Sequence, residues 1–405
     1  MILIAHHDPA GHDSDAAFED AHVYVQLEAV YTFAVQDGLG ECDDGDVVCA
    51  QKLFHILDVR RYSAFVHSHD GKPMSLDAPA QKPQEKLAAA LAPDMARVND
   101  MIRQRMASEH APRIPEVTAH LIDAGGKRLR PMLTLAAARM CGYDGPYHIH
   151  LAATVEFIHT ATLLHDDVVD ESAQRRGRPT ANLLWDNTSS VLVGDYLFAR
   201  SFQLMVEPGS LRVLDILANA AATIAEGEVL QLTAAQDLAT TEETYLKVVR
   251  GKTAALFSAA TEVGGVIAGV DEAHIKALYD YGDALGIAFQ MVDDVIDYGD
   301  PEVTGKNAGD DFRERKLTLP VIRALAQATP EERAFWERTI AKGKQHDGDL
   351  DQVFAILART GALEAVTQEA LGWAAQAKEA LAILPEHPIR DMLGDLADYV
   401  VARIS

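Results

Sequence analysis

From about Ala88 to the C-terminus, apolar residues recur every three or four positions, the interval that keeps them on one face of a helix. Runs that alternate residue by residue are rare there. The spacing predicts helices over 93–108, 131–140, 151–169, 189–205, 211–236, 245–268, 272–298, 330–341, 350–358, 363–384 and 389–404. Short connections marked by Gly, Pro and Asp, such as CGYDGP and VEPGS, join them. The expected architecture is therefore one large all-α domain of packed antiparallel helices, 88–405.

Residues 1–73 do not share the pattern. They hold seven of the 16 histidines, and 13 acidic residues against four basic ones. AHVYVQLEAVYTF alternates in part and offers a strand, but no fold. His6, His7 and His12 with Asp8 and Asp13 could be drawn as a metal site, yet their spacing matches no ligand scheme. A disordered polar tail accounts for them better. DGKPMSLDAPAQKPQEK then reads as a linker, 74–87. Met74 is expected to be the natural start, or else 1–73 to be a dispensable acidic extension.

Composition narrows the picture. A chain of 405 residues that is 48% hydrophobic supports a substantial core, and a net charge of -25 argues against nucleic acid as a partner. Cys42, Cys49 and Cys141 form no disulfide framework, which suits a reducing cytoplasm. The N-terminus lacks a basic signal region, and the most apolar window, 254–270, is interrupted by Glu262. A soluble cytoplasmic protein with at most peripheral membrane contact is expected.

Two stretches break local rules in the same way. LLHDDVVDE places Asp166, Asp167 and Asp170 on one side of a helix, and QMVDDVIDYGD repeats the spacing with Asp293, Asp294 and Asp297, 127 residues later. Acidic pairs so spaced cost a few tenths of a kcal/mol each, and both trios fall at the negative end of a helix dipole. A violation repeated in one form points to function. Oxygen ligands without a Cys or His cage favour a hard cation, and Mg²⁺ is commonly held by one or two carboxylates, water and substrate phosphate.

Cations cluster around these acids. Arg175 and Arg176 follow the first trio, and GGKRLRP sets Lys127, Arg128 and Arg130 at a helix N-terminus, where amides and dipole also favour an anion. His159 lies two turns before Asp166 on the same face. Lys252 and Thr253 in RGKTAALF, Gln290, and Lys306 and Lys316 in TGKNAGDDFRERKLTLP add further donors. Each lysine alone reads as a surface residue, GGKRLRP alone as a solvated basic loop and His159 alone as a satisfied core histidine; together they supply charge-assisted bonds to phosphate. The chain has no GxxxxGK[ST] loop, GxGxxG after a strand, HExxH or GxSxG elbow. Nucleotide-driven transfer, metalloprotease and serine-hydrolase chemistry fall away.

In GGKRLRP, HTATLLHDDVVDESAQRRGRPT, GDYLFAR, GKTAALF, FQMVDDVIDY and GKNAGDDFRERKLTLP, in that order, the chain resembles the trans-isoprenyl diphosphate synthases, specifically the long-chain polyprenyl type. The resemblance runs from about Ala88 to the C-terminus. It implies the all-α isoprenoid synthase fold around a deep central cavity, usually a homodimer. It implies that Asp166, Asp167, Asp170, Asp293, Asp294 and Asp297 bind two or three Mg²⁺ ions, with Mn²⁺ as a possible substitute. Lys127, Arg130, His159 and Arg176 match the isopentenyl diphosphate pocket. Arg175, Lys252, Thr253, Gln290, Lys306 and Lys316 match contacts to an allylic diphosphate, farnesyl or geranylgeranyl. The implied activity is stepwise addition of isopentenyl units, with Asp166, Asp167, Asp170, Lys252, Asp293 and Asp294 as catalytic residues.

Ala161 and Thr162, five and four residues before Asp166, are small. In the family, bulky residues here resemble a floor that ends elongation, so a product of about eight to ten units is expected, as in ubiquinone side chains. Phe198, Phe202 and Met205 are candidates for a deeper floor or simple core residues. The rival readings are a class I terpene cyclase, a non-catalytic subunit of a heteromeric synthase, and an acidic helical scaffold.

Overall fold

The computed structural model describes residues 82–123, 125–175, 177–299 and 308–404. His6, His7 and His12 with Asp8 and Asp13, the stretch AHVYVQLEAVYTF, Cys42, Cys49, Met74, Arg176 and Lys306 lie outside them.

The described residues of the unit Ala78–Ser405 form a helical bundle. In chain order its principal helices are α1 (Pro83–Ala90), α2 (Ala92–Met106), α3 (Arg113–Asp123), α4 (Leu129–Met140), α5 (Tyr147–Val169), α6 (Asn187–Val206), α7 (Leu211–Ala234), α8 (Glu242–Val249), α9 (Ala255–Ala268) and α10 (Glu272–Asp297), followed by α11 (Leu319–Ala326), α12 (Asp349–Thr360), α13 (Ala362–Ala380) and α14 (Pro388–Ala402). Most expected helices are present within a few residues of their anticipated ends. The chain is helical already at Pro83, inside the stretch expected as linker, and Leu87 of α1 is fully buried where α1 packs on α14. Two short helices, α3 and α11, were not anticipated, nor was the hairpin pairing Gln174–Arg175 with Arg178–Pro179.

Local chemistry explains the ends. Asp271 caps α10 by accepting from the His274 amide at 2.9 Å, Ser210 caps α7 through Val213, and Thr241 caps α8 through Thr244. The helix expected over 245–268 is two, because one π-helical turn, Arg250–Ala254, separates α8 from α9. Such turns are frequent at functional sites.

α5 lies at the centre, packed by α2, α4, α6 and α9, and α10 packs on α9 and α13. Among the described residues no helix is long and apolar enough to cross a membrane. Cys141 is half-buried, and burial pushes its thiol up to about 11, which disfavours the thiolate.

Candidate active site

α5 and α10 both end at the rim of one open cavity of about 610 Å³. α5 presents His159, Thr162, Leu163, Asp166 and Asp170 to it, at the three- and four-residue spacing of one helix face. α10 presents Phe289, Gln290 and Asp293. The loop before α4 adds Lys127 and Arg128, the first turn of α4 adds Arg130, the π turn adds Lys252 and Thr253, and Glu156, Lys316, Arg175, Glu228 and Arg403 are also polar lining residues.

The six aspartates divide into two groups of three. Asp166, Asp170 and Asp293 face the cavity; Asp167, Asp294 and Asp297 do not line it. Asp167 is fully buried, and its Oδ1 accepts from Nε and Nη2 of Arg175, each at 2.8 Å. Asp294 is buried between two neutral donors, the Tyr245 hydroxyl at 2.6 Å and the Gln290 amide at 2.8 Å. The Gln290 carbonyl accepts in turn from Thr253 Oγ1 at 2.8 Å. Asp297 accepts from the backbone amides of Asp310 and Asp311, at 3.2 and 3.1 Å, at the start of the short helix Asp310–Arg313. Thr253 and Gln290, expected as substrate contacts, are thus also links in the chain that holds Asp294.

Each cavity-facing acid has a cation close by. Arg403 Nη2 donates to Asp293 at 2.7 Å, and Lys316 Nζ to Asp170 at 3.3 Å and Glu314 at 2.5 Å. Lys252, the charge acting most strongly on Asp166, donates to Glu228 at 3.0 Å. Burial pushes Asp166 up to about 6, with Lys252 opposing the shift. Burial pushes Asp294 up to about 7 and Asp311 well above the carboxylate range. Burial works against the charge of Lys316, but Asp170 and Glu314 hold its ammonium above the ordinary value.

The basic wall is built by an unusual turn. Gly125 and Gly126 have φ of 75° and 150°, and Arg128 follows at 46°, in the left-handed region that non-glycine residues seldom adopt. The turn points Arg128 at Glu156, with which it pairs at the cavity wall, and sets Lys127 and Arg130 on the same cavity. Arg130 Nη1 lies 3.3 Å from His159 Nε2. Guanidinium has only donors, so Nε2 accepts and the proton of His159 sits on Nδ1. The Arg130 guanidinium lies 4.7 Å from the Phe257 ring centre, and Lys127 Nζ 5.9 Å from that of Phe289.

Below the acids, Thr162 lines the cavity and Ala161 is fully buried beside it. Met205 is core and Phe198 packs on His165, whereas Phe202 is 45% exposed, so within this chain it is neither floor nor core.

Sequence reasoning did not find Arg403, Glu228, Glu156 or Tyr245. Glu228 had a signal: Gly227 interrupts the apolar pattern of α7, and an isolated helical glycine marks a close approach. A Cβ on Gly227 would stand 2.8 Å from Gly251 Cα, so the backbones of α7 and the π turn touch next to Glu228 and Lys252.

Among the described residues no three His, Cys, Asp or Glu side chains converge closely enough to hold an ion unaided. Two carboxylates on one wall and one on the other, ringed by cations, instead suit a charged ligand that brings some of the coordination with it. Residues 111–357 match the polyprenyl synthetase family model. The chain is 45% identical to octaprenyl diphosphate synthase of Escherichia coli over 320 residues, 79% of this chain and 98% of that protein. The crystal structure of a decaprenyl diphosphate synthase from Rhodobacter capsulatus is 72% identical, with a TM-score of 0.78 over 80% of this chain and 100% of that one. A polyprenyl synthase from Caulobacter crescentus, complexed with calcium and isoprenyl diphosphate, is 50% identical with a TM-score of 0.76, over 81% of this chain and 100% of its own. With the order of motifs, the all-α fold and the facing acidic helices in agreement, the chain belongs to the polyprenyl synthetase family and is a prenyltransferase.

Proposed function

We infer that the protein is an all-trans polyprenyl diphosphate synthase that adds isopentenyl diphosphate repeatedly to an allylic diphosphate, farnesyl or geranylgeranyl. The observation that carries this is the division of the cavity into two cationic sides about one acidic platform, which suits two diphosphates. The octaprenyl and decaprenyl relatives favour a product of about eight to ten units, a length suited to a quinone side chain.

Asp166, Asp170 and Asp293 are the residues that would hold Mg²⁺, or Mn²⁺ in its place; Asp167, Asp294 and Asp297 then act through the groups they position. Bound metal would neutralise charge on the allylic diphosphate. Lys252 and Lys316 give direct donors to its oxygens and stabilise the charge that collects there as the C–O bond breaks. Lys127, Arg130 and His159 hold the second diphosphate, with Arg403 beside them. Phe257 and Phe289, over which these cations lie, keep the reacting carbons among apolar groups and away from water. The isopentenyl double bond attacks the allylic cation, a new C–C bond forms, and a proton leaves to the departing pyrophosphate. No protein base is required.

The exposed apolar residues Leu192, Phe202 and Val206 on α6, with Leu211, Val229 and Leu232 on α7, favour a homodimer joined through these helices. A cytoplasmic location with at most peripheral membrane contact fits the composition. Incubation with labelled isopentenyl diphosphate, farnesyl diphosphate and Mg²⁺, followed by chromatography of the dephosphorylated products, tests the function. A ladder ending near eight to ten units is expected; cyclic products without uptake of label would favour a terpene cyclase, and no product a non-catalytic subunit.

A further inference from the structure

Asp170 and Asp293 each carry a cation of the protein directly, Lys316 and Arg403. Asp166 differs: Lys252, which acts on it most strongly, gives its ammonium to Glu228 at 3.0 Å. Asp166, Lys252 and Glu228 line the same cavity. The alternative partner is therefore at hand, and something must decide between the two.

Backbone contact decides it. Gly227 precedes Glu228 on α7, and Gly251 precedes Lys252 on the π turn; a Cβ on Gly251 would lie 2.7 Å from Gly227 Cα. With no room for a side chain at the crossing, the register of α7 against the π turn is fixed, and Glu228 is set opposite Lys252. Lysine carries a long stem with much rotamer freedom, so its ammonium goes where a carboxylate is presented. The pair is only about three-quarters buried, 25% and 26% exposed, and an ion pair at that exposure is readily exchanged for stronger charge-assisted bonds to phosphate.

We propose that Glu228 is a positioning residue that keeps the Lys252 ammonium off Asp166, so that Asp166 stays available to a divalent cation until a diphosphate draws Lys252 away. This rests on the assignment of Asp166 to the metal and Lys252 to the allylic diphosphate. Glu228 touches neither reacting carbon and acts through Lys252.

The test is binding of Mn²⁺ alone, without any diphosphate, followed through the electron paramagnetic resonance signal of free Mn²⁺. Glu228→Gln should weaken Mn²⁺ binding about three- to fivefold, the upper scale of a partly exposed ion pair. Lys252→Met should not weaken it, and the double variant should bind within about twofold of Lys252→Met. Equal weakening by Glu228→Gln in both backgrounds would overturn the proposal, because Glu228 would then act on the ion itself. No weakening in either would overturn it as well. Should Glu228→Gln fail to fold, Glu228→Asp, which keeps the charge but shortens its reach, takes its place with the same expectations. Asp166→Asn reports separately on the underlying assignment, which falls if that variant keeps wild-type Mn²⁺ affinity whatever Glu228 does.

Discussion

Arg403 and Asp293 lie 110 residues apart in the chain and meet at the cavity, the guanidinium donating to the carboxylate at 2.7 Å from above the Phe289 ring. The pair ties the last helix to the second acidic motif. Partners that orient a ligating carboxylate are commonly worth 10- to 100-fold in metal affinity or activity. Arg403→Gln is therefore expected to lower kcat/KM about 10- to 100-fold while the melting curve by circular dichroism moves little. An unchanged kcat/KM would make the pair a bystander.

Two acids behind the platform, Asp294 and Asp311, predict a pH dependence. Asp294 and Asp311 line one small cavity, and burial raises both, Asp294 to about 7. In the unfolded chain such groups ionise near 4. The folded protein thus retains a proton that the unfolded chain releases, and this contribution is complete below about 4 and lost as pH rises toward 7. In EDTA, stability from urea unfolding should fall by up to about 1.4 kcal/mol per pH unit, the slope for one retained proton, across that window. Asp311→Asn should flatten the slope; the same slope in that variant would assign it to other groups.

The crossing at Gly227 predicts coupled loss of stability and rate. In Gly227→Ala the new methyl meets backbone, not a yielding side-chain tip, with Gly251 Cα and the Lys252 nitrogen both at 2.8 Å. Separating α7 from the π turn should cost about 2 kcal/mol, the usual scale of overpacking, and displace Lys252. Thermal melting and kcat should fall together. A variant with wild-type kcat would show that the backbone contact does not position the lysine.

Product length depends on the α5 turn before Asp166. Thr162 lines the cavity and its hydroxyl is already satisfied by the His159 carbonyl at 2.8 Å. Thr162→Phe should thus cap the cavity and shorten the product by several units, read by chromatography. Ala161→Phe should shorten it too, but Ala161 is fully buried, so that variant also loses about 1–3 kcal/mol. Full-length product from both would move the floor elsewhere.

Much of this was legible because helix periodicity and acidic spacing are local. The two trios and GGKRLRP announce themselves by breaking local preference. What separates Asp293 from Asp294 is not local: it depends on Tyr245, 49 residues away, reaching Asp294, and on Arg403 reaching Asp293. Arg403 and Glu228 sit in ordinary helical patterns and gain meaning only from what packs across from them. The π turn was invisible for a similar reason, since an inserted residue leaves the apolar spacing of α8 and α9 nearly continuous.

The surface of α6 and α7 carries the last expectation. Phe202 and Val206 lie one turn apart on α6, and Val229 and Leu232 three apart on α7, all between 45% and 63% exposed. α6 and α7 pack on each other, so these residues lie on neighbouring helices. Apolar side chains concentrated on neighbouring helices lower the free energy when covered by the same surface of a second copy, as in a two-fold dimer. Phe202→Glu with Leu232→Lys puts charge into that contact. Sedimentation velocity should show a wild-type dimer and a monomeric variant that retains its helical spectrum. Because α6 and α7 pack against the helices of the site, the monomer is also expected to lose turnover; a variant still dimeric would place the interface on another face.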